Sequence, residues 1–356
     1  MVTCMKVISG AGSGRPSPES LFLRHPPPEE GVGATVNANC PTQASYEATF
    51  AHNFWKQMLS RVPAIPARTE LTGKTVLVTG ANVGLGFEAV RNFLRLWPSL
   101  VIMGVRSVDK GEAAAAALRR EFLDARIEVW ELDMESFRSV QAFAARAERE
   151  LDRLHVAVFN AGLGKLKFER VDEGGCHEVT IQLRPTTSLS EPGRLSIVNS
   201  GASLGLSLED PGDGRLFDSF DRPEKFDGFG QYGLSKLLVM IFVAKLAQKI
   251  DPKEVIVNCT DPGATKGTSF FRNVNWIMSI VLRAFLGLIG RLTVDASRIY
   301  LHSTLALGEE SHGSWTDWII RAWPKTMYTD EGHQMGERLW DETLEELKFA
   351  GVKEKL

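Results

Sequence analysis

Tyr232 and Lys236 stand four residues apart in the stretch YGLSK, inside a segment patterned as an amphipathic helix. That spacing is just over one helical turn, so the phenol and the ammonium share a face. A phenol with an ordinary pKa of about 10 is a poor base at neutral pH, and a neighbouring cation favours its phenolate. Each unit of lowering corresponds to about 1.36 kcal/mol. The pair therefore suits proton exchange with the oxygen of a bound molecule. An exposed Tyr–Lys pair with no chemistry has the same spacing, so the elements around it must decide between the two readings. A third group is needed to steady charge developing on that oxygen. The stretch IVNSGAS offers two hydroxyls for this, Ser200 and Ser203, either of which could also cap its own loop.

The elements that would carry these residues alternate. Short β-branched runs occur at 74–80 (KTVLVTG), 100–105, 127–132, 154–160, 194–200 and 254–260. Such near-continuous apolar runs predict buried parallel strands. Between them lie helical patterns: GFEAVRNFLRLW, DKGEAAAAALRREFL, ESFRSVQAFAARAERELD and the long GQYGLSKLLVMIFVAKLAQKI. Strand and helix in alternation predict an α/β fold, a Rossmann-type doubly wound parallel sheet in a single domain.

The first strand runs into TGANVGLG, with Gly80, Gly84 and Gly86, and then into a helix. Phosphates reach a helix N-terminus only where side chains leave the backbone open, and the free N–H groups there attract anions. A glycine triplet alone is weak, but this one closes a strand and opens a helix at the head of a βαβ unit. The reading is a dinucleotide site, the alternative a plain tight turn.

With YGLSK and FNAG, the glycine spacing G-x-x-x-G-x-G resembles the short-chain dehydrogenase/reductase family, and within it the retinol-dehydrogenase-like members of fungal secondary metabolism. The resemblance covers about residues 45–349 through GANVGLGFEAVRNF, VRSVDKGEAA, LDMESFRSV, FNAG, YGLSKLL, DPGATKGT and RLWDETLEEL. It implies Tyr232 as the proton donor or acceptor, with Lys236 also holding the nicotinamide ribose. It implies Ser200 as the substrate-oxygen hydroxyl, with Ser203 the alternative. For the cofactor it implies Gly80, Asn82, Gly84, Leu85 and Gly86 in the first turn. Asp133 would sit beside the adenine, or else cap the next helix. Asn160 would belong to the central-strand motif, or else only form a turn. Pro262, Gly263 and a threonine, Thr265 or Thr268, would hold the carboxamide and diphosphate. The second strand ends GVRSVDK, without the acidic residue expected of an NAD binder. Arg106, with Lys110 nearby, can instead pair with a 2′-phosphate, which favours NADP(H) over NAD, the alternative being a solvated arginine.

One segment departs from that pattern. Parallel neighbours need a crossover, usually a helix with an apolar face. Between the fourth and fifth strands the chain reads LGKLKFERVDEGGCHEVTIQLRPTTSLSEPG, in which only CHEVTIQL has helical character before Pro185. The family carries a long apolar helix there, with an asparagine completing a proton relay, and no asparagine lies between Asn160 and Asn199. The expectation is a shortened crossover. Apolar area on LLVMIFVAKL would then be exposed, and homodimer formation is left open.

Composition limits the alternatives. The chain has 356 residues and a formal net charge of -3, which gives no support for nucleic-acid binding. Its four cysteines, Cys4, Cys40, Cys176 and Cys259, have no metal-ligand or disulfide spacing. A metal site is not expected, and a reducing, cytoplasmic setting is. No uncharged apolar run is long enough to span a membrane. WIMSIVLRAFLGLIG (276–290) reads as a helix over a substrate cleft, with a peripheral membrane contact as the other reading. Residues 1–45 are expected to be disordered, 46–70 to form a short helix and linker, 71–349 the folded domain, and 350–356 a tail. The expected activity is interconversion of a ketone and a secondary alcohol on an apolar small molecule. A cofactor-binding scaffold or impaired homologue is the alternative, because the relay asparagine has no counterpart.

Overall fold

The computed structural model describes residues 41–348 apart from 61, 64, 66–68, 163–191, 209–211, 213, 221–226 and 268–275. Six strands fall where the apolar runs place them: β1 Thr75–Thr79, β2 Leu100–Val105, β3 Ile127–Glu131, β4 Val156–Phe159, β5 Gly193–Val198 and β6 Val255–Thr260. Every residue of β2, β4 and β6 is buried, as a sheet covered on both faces requires. Two short pairs follow: β7 Thr265–Lys266 with β8 Arg291–Leu292, and β9 Ser314–Thr316 with β10 Ile320–Arg321. The eight-stranded sheet has the order β10-β9-β6-β5-β4-β1-β2-β3, with β10 antiparallel to β9 and the other pairings parallel. The order reverses between β1 and β4, which opens a crevice at their C-terminal ends.

Helices α3 Gly84–Leu94, α4 Val108–Glu121, α5 Phe137–Glu150 and α6 Gly228–Ala247 flank the sheet, as their patterns predict. One apolar cluster joins Trp130, Phe159, Met240 and Trp315; a second joins Phe93, Met103, Tyr300 and Trp318; a third joins Phe217, Leu237, Ile241 and Leu339. Trp315 and Trp318 are thus core residues. The expectation of exposed apolar surface on residues 237–246 is overturned. None of their large apolar side chains is exposed, because α8 (Asp330–Glu346) packs on α6 and Trp340 stacks on Phe242 at 5.6 Å between centroids. Among the described residues α6 is the one helix long and apolar enough to cross a membrane, and here it lies in the core. The shortened crossover expected between β4 and β5 lies outside the described residues, although the two strands pair in parallel.

Ahead of β1 the single helix expected from about residue 46 is two. Helix α1 (Pro41–Glu47) starts inside the stretch expected to be disordered, which corrects that boundary. Thr49 then accepts the His52 N–H and caps α2 (Phe50–Leu59). Lys56 pairs with Asp317 at 2.6 Å, and Arg321 bridges Asp317 and Glu47, so α1 and α2 are ionically tied to the β9–β10 edge. Helix α7 (Trp276–Ile289) packs against α2 and β7, and its Ile280, Phe285 and Leu288 are exposed.

A titration follows from β1. The Thr75 N–H donates to His155 Nδ1 at 2.9 Å, and burial lowers the imidazole pKa from 6.5 to about 4. A depressed folded-state pKa contributes stability above the unfolded value, lost as pH falls from 6.5 toward 4. Urea unfolding is expected to show about 1–2 kcal/mol less stability from this group at about pH 4 than at pH 7.5, solvent screening of the half-buried ring reducing the full effect. His155→Gln, which keeps an acceptor for Thr75, should lose that part of the pH dependence.

Candidate active site

The glycine turn sits at the sheet's reversal point. Gly80 has φ +63° and Gly84 φ +59°, the left-handed region that glycine tolerates without strain. A Cβ at Gly86 would lie 2.4 Å from the Gly80 carbonyl oxygen and 2.6 Å from Asn160 Nδ2, so only glycine fits. Val83, the N-cap of α3, makes no side-chain capping bond, which leaves the helix's first N–H groups for a ligand. Asn82 and Leu85 are half-buried in this turn. The cradle thus has the shape and free donors that a dinucleotide diphosphate needs.

Asn160 does more than form a turn. Its Nδ2 donates to the Thr79 carbonyl at 3.0 Å, and its Oδ1 accepts the Tyr300 hydroxyl at 2.9 Å. The Ala161 N–H donates to Thr79 Oγ1 at 2.9 Å, so the end of β4 is fastened to the end of β1.

Across this junction lie the residues from which the sequence reading began. Tyr232 and Lys236 share a face of α6, with Lys236 Nζ 5.7 Å from the phenol ring centroid. Nζ donates to the Val198 carbonyl at 3.0 Å, and a Cβ placed on Gly162 would lie 3.9 Å from it. The pair and the glycine turn therefore meet across the end of β4. The Ser200 side chain is hydrogen-bonded to the Tyr232 hydroxyl. Ser203 is fully buried, its Oγ donating to the Ser200 carbonyl at 2.9 Å and contacting Met240 Sδ at 3.3 Å. Of the two candidate serines, Ser200 is the one that meets the tyrosine.

The electrostatics differ from the sequence-based expectation. Burial pushes the Tyr232 phenol up to about 12, the Asp261 carboxylate adds to the rise, and the Ser200 hydrogen bond opposes it. Burial also pulls Lys236 down to about 8. The expected lowering of the phenol pKa is thus reversed: desolvation of the phenolate outweighs the Ser200 hydrogen bond. At neutral pH Tyr232 holds its proton.

Asp261, just before Pro262, was missed by sequence reasoning. Its Oδ1 accepts the Gly263 N–H at 2.8 Å and its Oδ2 the Gly201 N–H at 3.0 Å. One buried carboxylate joins the serine loop to the Pro-Gly loop, and burial raises its pKa. An acidic residue directly before Pro-Gly at a strand end was the available signal. Tyr300 gave none, being an aromatic in an apolar stretch.

The remaining expected ligands lie nearby with varied commitments. Pro262 is buried, Gly263 has φ +72°, and Thr265 Oγ1 donates to the Gly263 carbonyl at 3.0 Å. Thr268 lies outside the described residues. Arg106 is 57% exposed and only 3.4 Å from Glu135, an ion pair it can leave. Asp133 Oδ1 accepts the Glu135 N–H at 3.0 Å; it does not cap α5, whose N-cap is Ser136. Lys110 is exposed in the first turn of α4, which Ser107 caps. Among the described residues no cluster of three or more His, Cys, Asp or Glu side chains could hold a metal ion.

A profile described as short chain dehydrogenase matches residues 74–183. The short chain dehydrogenase virL of Hypocrea virens is 40% identical over 334 residues, covering 89% of this chain and 97% of that protein. The short chain dehydrogenase/reductase mfmJ of Annulohypoxylon moriforme is 38% identical, covering 85% and 93%. A crystal structure of a short chain dehydrogenase from Shigella flexneri complexed with NADP superposes with a TM-score of 0.50 at 21% identity, covering 70% of this chain and 99% of that one, a likeness of fold. With its parallel sheet, glycine turn and relatives matched over nearly their whole length, this chain belongs to the short-chain dehydrogenase/reductase family of oxidoreductases.

Proposed function

We propose that this protein is an NADP(H)-dependent oxidoreductase that interconverts a ketone and a secondary alcohol on an apolar small molecule in fungal secondary metabolism. The observation carrying this reading is the grouping of Ser200, Tyr232 and Lys236 beside an open glycine turn. The bound nicotinamide supplies or accepts the hydride. Ser200 and Tyr232 hold the substrate oxygen by hydrogen bonds that strengthen as charge develops on it. In reduction the Tyr232 O–H bond breaks and its proton passes to that oxygen, and the resulting phenolate is steadied by the Lys236 ammonium. In oxidation the same proton returns. The raised phenol pKa keeps Tyr232 near neutral pH in the protonated form that reduction requires. The fungal relatives support the pathway class, and the exposed apolar residues of α7 support an apolar substrate.

The test is consumption of NADPH and of NADH by the whole protein against a panel of apolar ketones. Turnover with NADPH supports the enzyme. Tight NADPH binding with no turnover on any ketone, or on the matching alcohols with NADP, supports the scaffold reading. Arg106→Ala is expected to raise KM for NADPH by about 10-fold or more and leave NADH unchanged, because one charge-assisted bond contributes about 1.5–3 kcal/mol. Equal effects on the two cofactors would remove Arg106 from 2′-phosphate recognition.

A further inference from the structure

Helix α2 reaches into the cofactor side of the site through one residue. Gln57 is 8% exposed, and its carboxamide makes four hydrogen bonds. Nε2 donates to the carbonyls of Ala264 at 2.8 Å and Ile289 at 3.0 Å. Oε1 accepts the Ala264 N–H at 3.2 Å and Arg291 Nη1 at 3.1 Å. The partners fix the amide's orientation: two carbonyls face the nitrogen, an N–H and a guanidinium face the oxygen.

The grip falls on the loop after β6. Both polar backbone groups of Ala264 are held by the one side chain, as a neighbouring strand would hold them. A Cβ on Gly263 would lie 2.5 Å from Gln57 Oε1 and 2.8 Å from Arg291 Nη1, so the carboxamide also packs flat against that glycine. Asp261 in turn accepts the Gly263 N–H. Gly263 and Ala264 are therefore clamped between a carboxylate from their own strand and a carboxamide from 207 positions earlier in the chain.

We propose that Gln57 is a positioning residue for the nicotinamide end of the cofactor, holding the Pro262–Thr265 loop where it can meet the carboxamide and diphosphate. This role rests on the dinucleotide reading given above. The chemistry requires a side chain of this length with a donor and an acceptor on one planar group. Methionine has the length without the bonds. Glutamate has the acceptor, and would set a carboxylate against two carbonyls near Asp261. In the methionine variant the Ala264 N–H loses its acceptor, in both variants the Ala264 carbonyl keeps only the Arg291 N–H at 3.0 Å, and the loop exchanges its single conformation for several.

The test uses the full chain and two ligands that touch different parts of the site. NADPH spans the whole of it, whereas adenosine 2′,5′-bisphosphate reports only the adenosine end. In Gln57→Met, NADPH affinity is expected to fall by about 10-fold or more, with bisphosphate affinity unchanged and amide exchange at Ala264 faster in the ligand-free protein. Gln57→Glu, which keeps the shape and the Arg291 contact, serves where the methionine variant does not accumulate folded. Unchanged NADPH affinity in a folded variant, or equal losses for both ligands, would overturn the proposal in favour of a general anchoring role. Wild-type protein that binds neither ligand would overturn the dinucleotide reading itself, and this role with it.

Discussion

Tyr232→Phe is expected to lower turnover of a ketone substrate by about 1,000-fold, within the range a positioned proton donor contributes, and to leave NADPH affinity within about twofold. The substitution removes one oxygen from a ring that is otherwise held by α6 and leaves Lys236 bonded to the Val198 carbonyl. About 1,000-fold corresponds to about 4 kcal/mol of transition-state stabilisation, more than loss of the Ser200 hydrogen bond would explain in a purely structural role. The pH profile carries the same signature. With Tyr232 pushed up to about 12 and Lys236 pulled down to about 8, reduction should stay level from about pH 6 to about pH 8 and decline above it. The decline marks loss of the cation that steadies the phenolate, while the phenol itself stays protonated. Turnover of the phenylalanine variant within tenfold of wild type would remove Tyr232 from the proton transfer.

Gly86→Ala is expected to be the most damaging single methyl in the cofactor cradle. The added carbon would meet the Gly80 carbonyl oxygen at 2.4 Å and Asn160 Nδ2 at 2.6 Å, and neither yields readily. Gly80 is held at φ +63° with Ala161 against it, and Asn160 is tied to Thr79 and Tyr300. Overpacking at such a site costs about 1–3 kcal/mol, which as lost affinity is about 5- to 150-fold in Kd for NADPH. The thermal midpoint should fall as well. Gly84→Ala provides the contrast. No atom lies within 4 Å of a Cβ there, so only the left-handed conformation penalises it, by about 1–2 kcal/mol. Titration of both variants with NADPH checks the order. A Gly86→Ala protein that binds as well as the Gly84→Ala protein would show that the close approach does not shape the cradle.

The six central strands and their helices were legible because a sheet covered on both faces writes unbroken apolar runs into the chain, and because helical patterns separate them. Tyr232, Lys236 and the glycine turn were legible for a related reason: their spacing is local, and a single helix or loop sets their geometry. What escaped is what the chain brings together from afar. Tyr300 reaches Asn160 over 140 positions and Gln57 reaches Ala264 over 207. Neither partner marks the other in sequence. Strands β9 and β10 escaped because two or three residues carry no readable period. The phenol's pKa was misread because spacing shows a neighbouring cation and hides the burial that raises it.

Lys56 gives the folded body a different outline from the family signature. That signature begins at residue 74 and takes in the glycine turn, yet one of the two cations paired with Asp317, which also lowers the cost of a buried Asp261, arrives from upstream. Arg321 and Glu47 close the same circuit from the two sides of that boundary. Charges enclosed this deeply are stable only with their counterions present. The segment ahead of β1 is thus an electrical component of the folded domain, and trimming the protein to its recognisable motifs would leave Asp317 with Arg321 alone and take from Asp261 a cation that offsets its burial.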